Sequence, residues 1–191
     1  IGSDWPSTNC ATLAGVIELV EIAGTGAIST AALQLTELKG REDRLRSVLG
    51  KRSERWQILS PVRMHPHGVR DINRWVQRRF RAKELESASE VWGLSLGDES
   101  IVRKDKVIQI SNQWRNAYDG KVSDEHYLAN GEVGLVATAK HPWMNVLFAG
   151  RPGLSFGYSK RDFPGGVGPL ELAYALTVHK SQGSEFKKVF V

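Results

Sequence analysis

From Leu170 to Val191 the chain reads LELAYALTVHKSQGSEFKKVFV. An apolar run ending in Leu176 to Val178 and the short run Val189-Phe190-Val191 enclose a polar cluster from His179 to Glu185. That texture predicts a buried strand that hands a loop of two hydroxyls, an imidazole, an ammonium, an amide and a carboxylate to the surface, followed by the start of another strand. Such a loop suits phosphate recognition. Hydroxyls and backbone N–H groups donate to phosphate oxygens, lysine adds charge, and Gly183 lets the backbone come close without a Cβ in the way. Glu185 cannot favour a phosphate and suits a sugar hydroxyl or a partner arginine. Taken as chemistry alone, the same residues also make a capped polar turn.

Working upstream, Trp56-Gln57-Ile58-Leu59-Ser60 is a short, largely apolar run stopped by Pro61, and it reads as a buried strand. After a turn at Pro66-His67-Gly68 the spacing predicts a helix. Val69, Ile72, Val76 and Phe80 form its apolar stripe, with Arg70, Arg74, Arg78, Arg79 and Arg81 mostly off it. Between Lys51 and Lys83 ten Lys or Arg stand against Glu54 and Asp71, a net +8 in a chain whose total is +5. A focused positive field of this kind attracts phosphate-bearing partners, although a merely solvated face gives the same count. Trp75 offers a base-stacking face or, at its helical spacing, a packing surface. Gln57 and Gln77 read as structural.

Past Leu94 the texture shifts to Gly and short β-type runs. Strands are expected at Val107 to Ile110, Glu132 to Thr138, Val146 to Phe148 and Leu154 to Tyr158. A long polar loop is expected from Asn112 to His126, and Asn130-Gly131 reads as a hairpin turn. Strands in such close succession suggest a small antiparallel barrel inserted into an α/β parent, with Phe163-Pro164-Gly165-Gly166 as its exit. Before residue 55, helical spacing at Leu13, Val16, Ile17 and Val20, and again after Ser29-Thr30, suggests helical scaffold.

A hydrophobic share of 41% against 25% charged residues fits a folded globular chain and excludes disordered or collagen-like classes. The lone cysteine, Cys10, excludes a disulfide scaffold and fits a reducing compartment, with the cytoplasm as the expected location. No run is apolar and long enough to span a membrane, and the opening IGSDWPSTNC lacks the pattern of a signal peptide. His65 and His67 flank Pro66 without a nearby Cys or acid cluster, so no metal site is expected there.

The string AYALTVHKSQGSEF, residues 173–186, resembles motif V of superfamily 1 DNA helicases of the RecD-like branch, ATP-driven motors related to the exonuclease V alpha subunit. WQILSPVRMHPHGVRDINRWVQ, residues 56–77, resembles that family's motif IV region. DKVIQISNQW and YLANGEVGLV, residues 105–114 and 127–136, resemble the start of the small β-barrel called 2B within the second motor domain.

The resemblance implies an α/β fold, a RecA-like second motor domain of the P-loop NTPase type with an inserted small antiparallel β-barrel. Residues 1–55 would be a helical lead-in without a motif, 56–96 and 167–191 the motor domain, and 97–166 the insertion. It further implies that Thr177, His179, Lys180 and Ser181 contact the phosphates of the bound strand. Gly183 and Glu185 would border the nucleotide, with Glu185 accepting from the ribose. Arg63 would reach the γ-phosphate as the catalytic arginine, unless it only pairs with Asp71. Asn112 resembles a polar position near the DNA path.

The implied partners are single-stranded or partly duplex DNA and a first motor domain of the same chain, with ATP and Mg²⁺ bound mainly by that first domain; no membrane is involved. The GxxxxGK[ST] loop such a motor needs is absent from this sequence, and Gly24-Thr25-Gly26-Ala27-Ile28-Ser29-Thr30 lacks its lysine. An acidic Mg²⁺-binding strand and an arginine-bearing motif VI are not found either. The chain alone is therefore expected to be inactive, as a portion of a longer helicase. The alternative is a nucleic-acid-binding or protein-interaction module without motor activity.

Overall fold

The computed structural model describes residues 53–64, 67–90, 95–119, 123–182 and 184–191. The helices expected before residue 55, and Gly183, lie outside them.

Strand β1 (Gln57–Ser60) forms from the apolar run before Pro61 and is buried at three of its four positions. Helix α1 (Val69–Phe80) follows, with Asp71 in its first turn and Arg78 and Arg79 in its last, each sign suited to the helix dipole. Val69, Ile72 and Val76 face the core as the stripe predicts, but Asn73 and Gln77 are buried beside them. Trp75 packs partly buried against the core. Arg81 closes the helix and is not on its basic surface: it is 1% exposed, with Nε donating to the Lys104 carbonyl at 3.0 Å and Nη1 to the Phe80 carbonyl at 2.9 Å. Helix α2 (Ala82–Glu90) buries no residue.

The chain then builds β2 (Lys106–Gln109), β3 (Gln113–Tyr118), β4 (Ser123–Leu128), β5 (Val133–Lys140), β6 (Trp143–Phe148), β7 (Ser155–Ser159), β8 (Leu170–Leu172), β9 (Ala175–Thr177) and β10 (Val189–Phe190). Seven of these strands form one sheet in the order β4-β3-β7-β6-β5-β2-β8, and each adjacent pair is antiparallel. A second sheet of three strands, β10-β1-β9, is parallel.

This architecture corrects the expected α/β fold. Among the described residues there are two α-helices, both ahead of β2, and the largest sheet is antiparallel, unlike a RecA-like P-loop domain in which helices alternate with parallel strands. The strand–loop–helix unit at β1 and α1 carries the parallel texture no further than three strands. The polar loop expected from Asn112 to His126 is in fact the β3–β4 hairpin, whose residues are mostly exposed. Asn130-Gly131 does turn the chain, with Gly131 at φ 98°, but it leads from β4 to β5, which are not sheet neighbours. Gly134 is required by close approach, since a Cβ there would stand 2.8 Å from the Leu147 carbonyl oxygen of β6.

Two buried polar clusters join the sheets. Asn73 donates from Nδ2 to the carbonyls of Leu172 at 2.9 Å and Ala175 at 3.1 Å, and its Oδ1 accepts from the Ala175 N–H at 2.7 Å, so α1 clamps the β8–β9 link. Lys106, fully buried, donates from Nζ to the Trp56 carbonyl at 2.6 Å and to Gln57 Oε1 at 2.8 Å. Its neighbour Asp105 accepts from Tyr174 Oη at 2.7 Å, Gln77 Nε2 at 2.6 Å and the Val102 N–H at 2.8 Å. Burial pushes the Asp105 carboxyl up to about 6 and the Lys106 ammonium down to about 7.

Asn73→Ala leaves two carbonyls and one N–H of the β8–β9 link without their partner, and it is expected to cost about 2 kcal/mol in urea unfolding. Between pH 7 and the ordinary lysine range the unfolded chain holds the Lys106 proton that the folded chain has released. Stability from this group therefore rises with pH across that window, by up to about 1.4 kcal/mol per pH unit. In Lys106→Met that rise should vanish from the pH dependence of the unfolding midpoint, and a rise that persists unchanged would show that another group causes it.

Candidate functional site

Strands β1 and β9 run side by side and parallel, with Ser60 opposite Thr177. Both end at that pair, so the segment after β1 and the polar loop after β9 leave the sheet at one edge. Arg63 and Lys180, each three residues beyond its strand end, converge on Glu171 of β8. Arg63 Nη2 lies 2.8 Å from Glu171 Oε1 and Lys180 Nζ 2.6 Å from Glu171 Oε2. Arg63 thus pairs with Glu171 rather than Asp71. One carboxylate on the seven-stranded sheet holds two cations that emerge from the parallel sheet.

The loop after β9 is folded on itself by short-range hydrogen bonds. Thr177 Oγ1 accepts from the Lys180 N–H at 3.2 Å, Ser181 Oγ donates to the Val178 carbonyl at 2.8 Å, and the Ser184 N–H donates to the Ser181 carbonyl at 3.1 Å. His179 and Val178 stand exposed at its crest. These bonds shape the loop and leave the Lys180 ammonium directed at Glu171.

Beside the shared carboxylate lies a cleft of about 230 Å³, lined among others by Arg63, Arg70, Glu99 and Glu171. Glu99 accepts the Leu172 N–H, and burial holds its carboxyl above the usual range, with the charge of Glu171 adding to the rise and Arg70 and Lys180 opposing it. Two guanidinium groups, Arg63 and Arg70, and three carboxylates, Asp98, Glu99 and Glu171, share one small cleft, in which an incoming anion would compete with Glu171 for cations already in place.

The remaining residues singled out from the sequence are not gathered there. Glu185 lines a different cleft, of about 420 Å³, with Glu54, Glu132 and Gln182 among its walls. There burial raises the Glu54 carboxyl, the Lys106 charge opposes that rise, and Glu185 adds to it. Gly183 lies outside the described residues. Asn112 is exposed and lines neither cleft; its Oδ1 accepts the Asn130 N–H at 2.7 Å, pinning the β4–β5 turn to the start of β3. Glu171 is the residue that sequence reasoning missed. Its signal was the alternation in Leu170-Glu171-Leu172, which turns a charge outward between two buried leucines.

No family model matches the chain. It is 27% identical to the ATP-dependent RecD2 DNA helicase of Deinococcus radiodurans over 173 residues, covering 91% of this chain and 19% of that protein. It is 31% identical to the uncharacterized protein MJ1519 of Methanocaldococcus jannaschii over 129 residues, 64% of this chain and 10% of that one. The chain therefore spans about a fifth or less of the length of these relatives, and the likeness to the Deinococcus protein suggests a relationship to RecD-like helicases at a coarse level. Among the described residues no helix is long and apolar enough to cross a membrane.

The side chains of Arg63 and Glu171 are 51% and 25% exposed, and solvent screens pairs of that kind to at most about 1 kcal/mol. Glu171→Gln is accordingly expected to change the urea unfolding free energy by less than about 1 kcal/mol. A loss several times larger would mark Glu171 as a structural joint rather than a carboxylate that two cations can leave.

Proposed function

We propose that this chain is part of an ATP-dependent DNA helicase, with the loop after β9 gripping single-stranded DNA and Arg63 facing bound nucleotide. In this reading Thr177, His179, Lys180 and Ser181 meet strand phosphates, and Gly183 and Glu185 border the nucleotide. Arg63 meets the γ-phosphate of ATP held with Mg²⁺ mainly by a first motor domain, and the parent protein works on single-stranded or partly duplex DNA. The observation that carries the reading is the convergence of Arg63 and Lys180 on Glu171, from the two segments that resemble helicase motifs. The likeness to the Deinococcus RecD2 helicase over most of the chain supports it.

The chemistry follows from competition. A partly exposed carboxylate pair is cheap to break, whereas an arginine or lysine on a phosphate gains charge-assisted hydrogen bonds. Arrival of a γ-phosphate would draw Arg63 from Glu171, and arrival of a strand phosphate would draw Lys180. Because both cations share one carboxylate, loss of either strengthens the hold of Glu171 on the other. An arginine so released stabilises charge on the transferring phosphoryl oxygens, and its movement ties hydrolysis to a change in strand grip.

The test is anisotropy of a labelled oligothymidylate titrated with the chain over a range of salt concentrations. Binding should weaken steeply with salt, and Lys180→Ala should lower affinity at every sequence and reduce the salt slope by about one. Arg63→Ala should lower strand affinity by less than Lys180→Ala does, through the tighter hold that Glu171 then has on Lys180. In the longer protein the same arginine change should slow DNA-stimulated ATP hydrolysis by about a hundredfold or more. Salt-independent binding, or equal strand defects from both substitutions, would count against the reading.

A further inference from the structure

The outer face of the seven-stranded sheet carries a cleft unconnected with Arg63 and Lys180. Strands β3 and β7 are hydrogen-bonded only at Ala117 opposite Phe156 and Tyr118 opposite Ser155. Toward Trp114 the ladder stops, and Arg115 fills the gap. Its Nη1 donates to the Gly157 carbonyl, its Nη2 to Asp162 Oδ1, and its guanidinium carbon sits 4.0 Å over the Tyr158 ring. Where the strands part, a cleft of about 480 Å³ opens between the β3–β4 hairpin and the β6–β7 pair. That volume is within the range of about 300–1,000 Å³ common for ligand sites.

Three aromatic rings stand among its otherwise polar walls. Strand β3 supplies Trp114 and Tyr118, and β6 supplies Trp143, which are 64%, 44% and 52% exposed. Both indoles are braced. Trp114 meets Tyr127 edge to face with ring centres 5.5 Å apart, and Trp143 lies against Gly157, where a Cβ would stand 3.4 Å from its ring. Rings held in place before a ligand arrives need little further ordering on binding. Three large exposed aromatics on one open cleft need an explanation that core packing does not give, because packing would bury them.

The charge of the lining narrows the occupant. Among the described lining residues Arg115 is the one cation, and it is engaged by Asp162. Glu125, opposite Asn116 on β4 and exposed, leaves the described lining residues with a net negative charge. Lys140, Lys160 and Arg161 stand outside the lining. A nucleic-acid strand would press its phosphates toward Glu125 without a free guanidinium in the cleft to meet them. An extended peptide has the opposite complementarity.

We propose that the Trp114–Trp143 cleft docks an extended proline-rich segment of a partner protein that carries a basic residue positioned to meet Glu125. Proline rings stack on indole faces, and a polyproline helix is already ordered, so it loses little entropy on binding. Its carbonyls accept from indole N–H groups and from the Asn116 amide.

The experiment titrates the 191-residue chain into three labelled probes: a short polyproline peptide with one terminal arginine, the same peptide with glutamate in its place, and an oligothymidylate of similar length. Saturable binding of the arginine peptide is expected, with about tenfold or greater weakening by Trp143→Ala or Trp114→Ala. Glu125→Lys keeps both rings and should abolish the preference for arginine over glutamate. The proposal is overturned if neither peptide binds saturably. It is overturned equally if oligothymidylate is the probe that Trp143→Ala releases and Glu125→Lys strengthens, which would give the cleft to a nucleic-acid strand.

Discussion

Two consecutive residues of opposite charge, Asp105 and Lys106, lie wholly out of solvent and determine how the two sheets meet. Successive residues of an extended chain point to opposite sides. Lys106 therefore reaches the carbonyl of Trp56 and the amide of Gln57 at β1, while Asp105 reaches Gln77 on α1 and Tyr174 ahead of β9. Burying either charge is costly, and each group answers by moving toward neutrality: the carboxyl rises to about 6 and the ammonium falls to about 7. A neutral amine has two N–H groups, and Lys106 finds two acceptors for them. The rings of Trp56 at 4.7 Å and Phe186 at 5.5 Å favour whatever positive charge remains. A hydrogen-bonded polar joint of this kind costs some stability relative to an apolar one and favours the placement of the linked elements in which its hydrogen bonds are made.

What the sequence revealed of the fold follows from which residues carry a periodic signal. Strand β1 and helix α1 were legible because an apolar run ending in proline and an apolar stripe are local patterns that burial enforces. Strands β2, β5, β6 and β7 were legible as runs of β-branched and aromatic residues. Strands β3 and β4 were not, because Gln113–Tyr118 and Ser123–Leu128 pair across mostly solvated backbone, and their polar side chains look like loop chemistry. Asn73 and Arg81 went unrecognised as core residues for a related reason. A stripe counted by apolar residues passes over polar side chains whose partners arrive from distant strands. The expectation of an α/β domain rested on one strand–loop–helix unit and a resemblance; the antiparallel sheet depends on long-range pairing that no local pattern expresses.

The candidate site divides in the same way. Arg63 and Lys180 could be named because their segments carry recognisable strings, whereas Glu171 sits in an apolar context and acquires its partners only when β8, β1 and β9 are brought together. Glu185 and Asn112 belong to the same resemblance yet occupy other surroundings. Glu185 lines the cleft of Glu54, and Asn112 ties down the β4–β5 turn. Sequence identifies groups able to do chemistry, and tertiary pairing determines which of them share a cleft.

The geometry around Glu171 descends from the buried joint. The Lys106 carbonyl accepts the Ala173 N–H, and Val107 stands opposite Leu172, so the strand that begins at the buried lysine also sets the register of β8. Asn73 then holds Leu172 and Ala175 together from the helix side, fixing how far Glu171 stands from the start of β9. Lys180 follows β9 by one turn, and Arg63 follows β1, which Lys106 holds through Trp56 and Gln57. Every element that supplies a charge to the shared ion pair is thus located by hydrogen bonds within the interior. Partly exposed side chains can therefore exchange partners at the surface while the backbone that presents them keeps one geometry, so that a single carboxylate holds two cations at once.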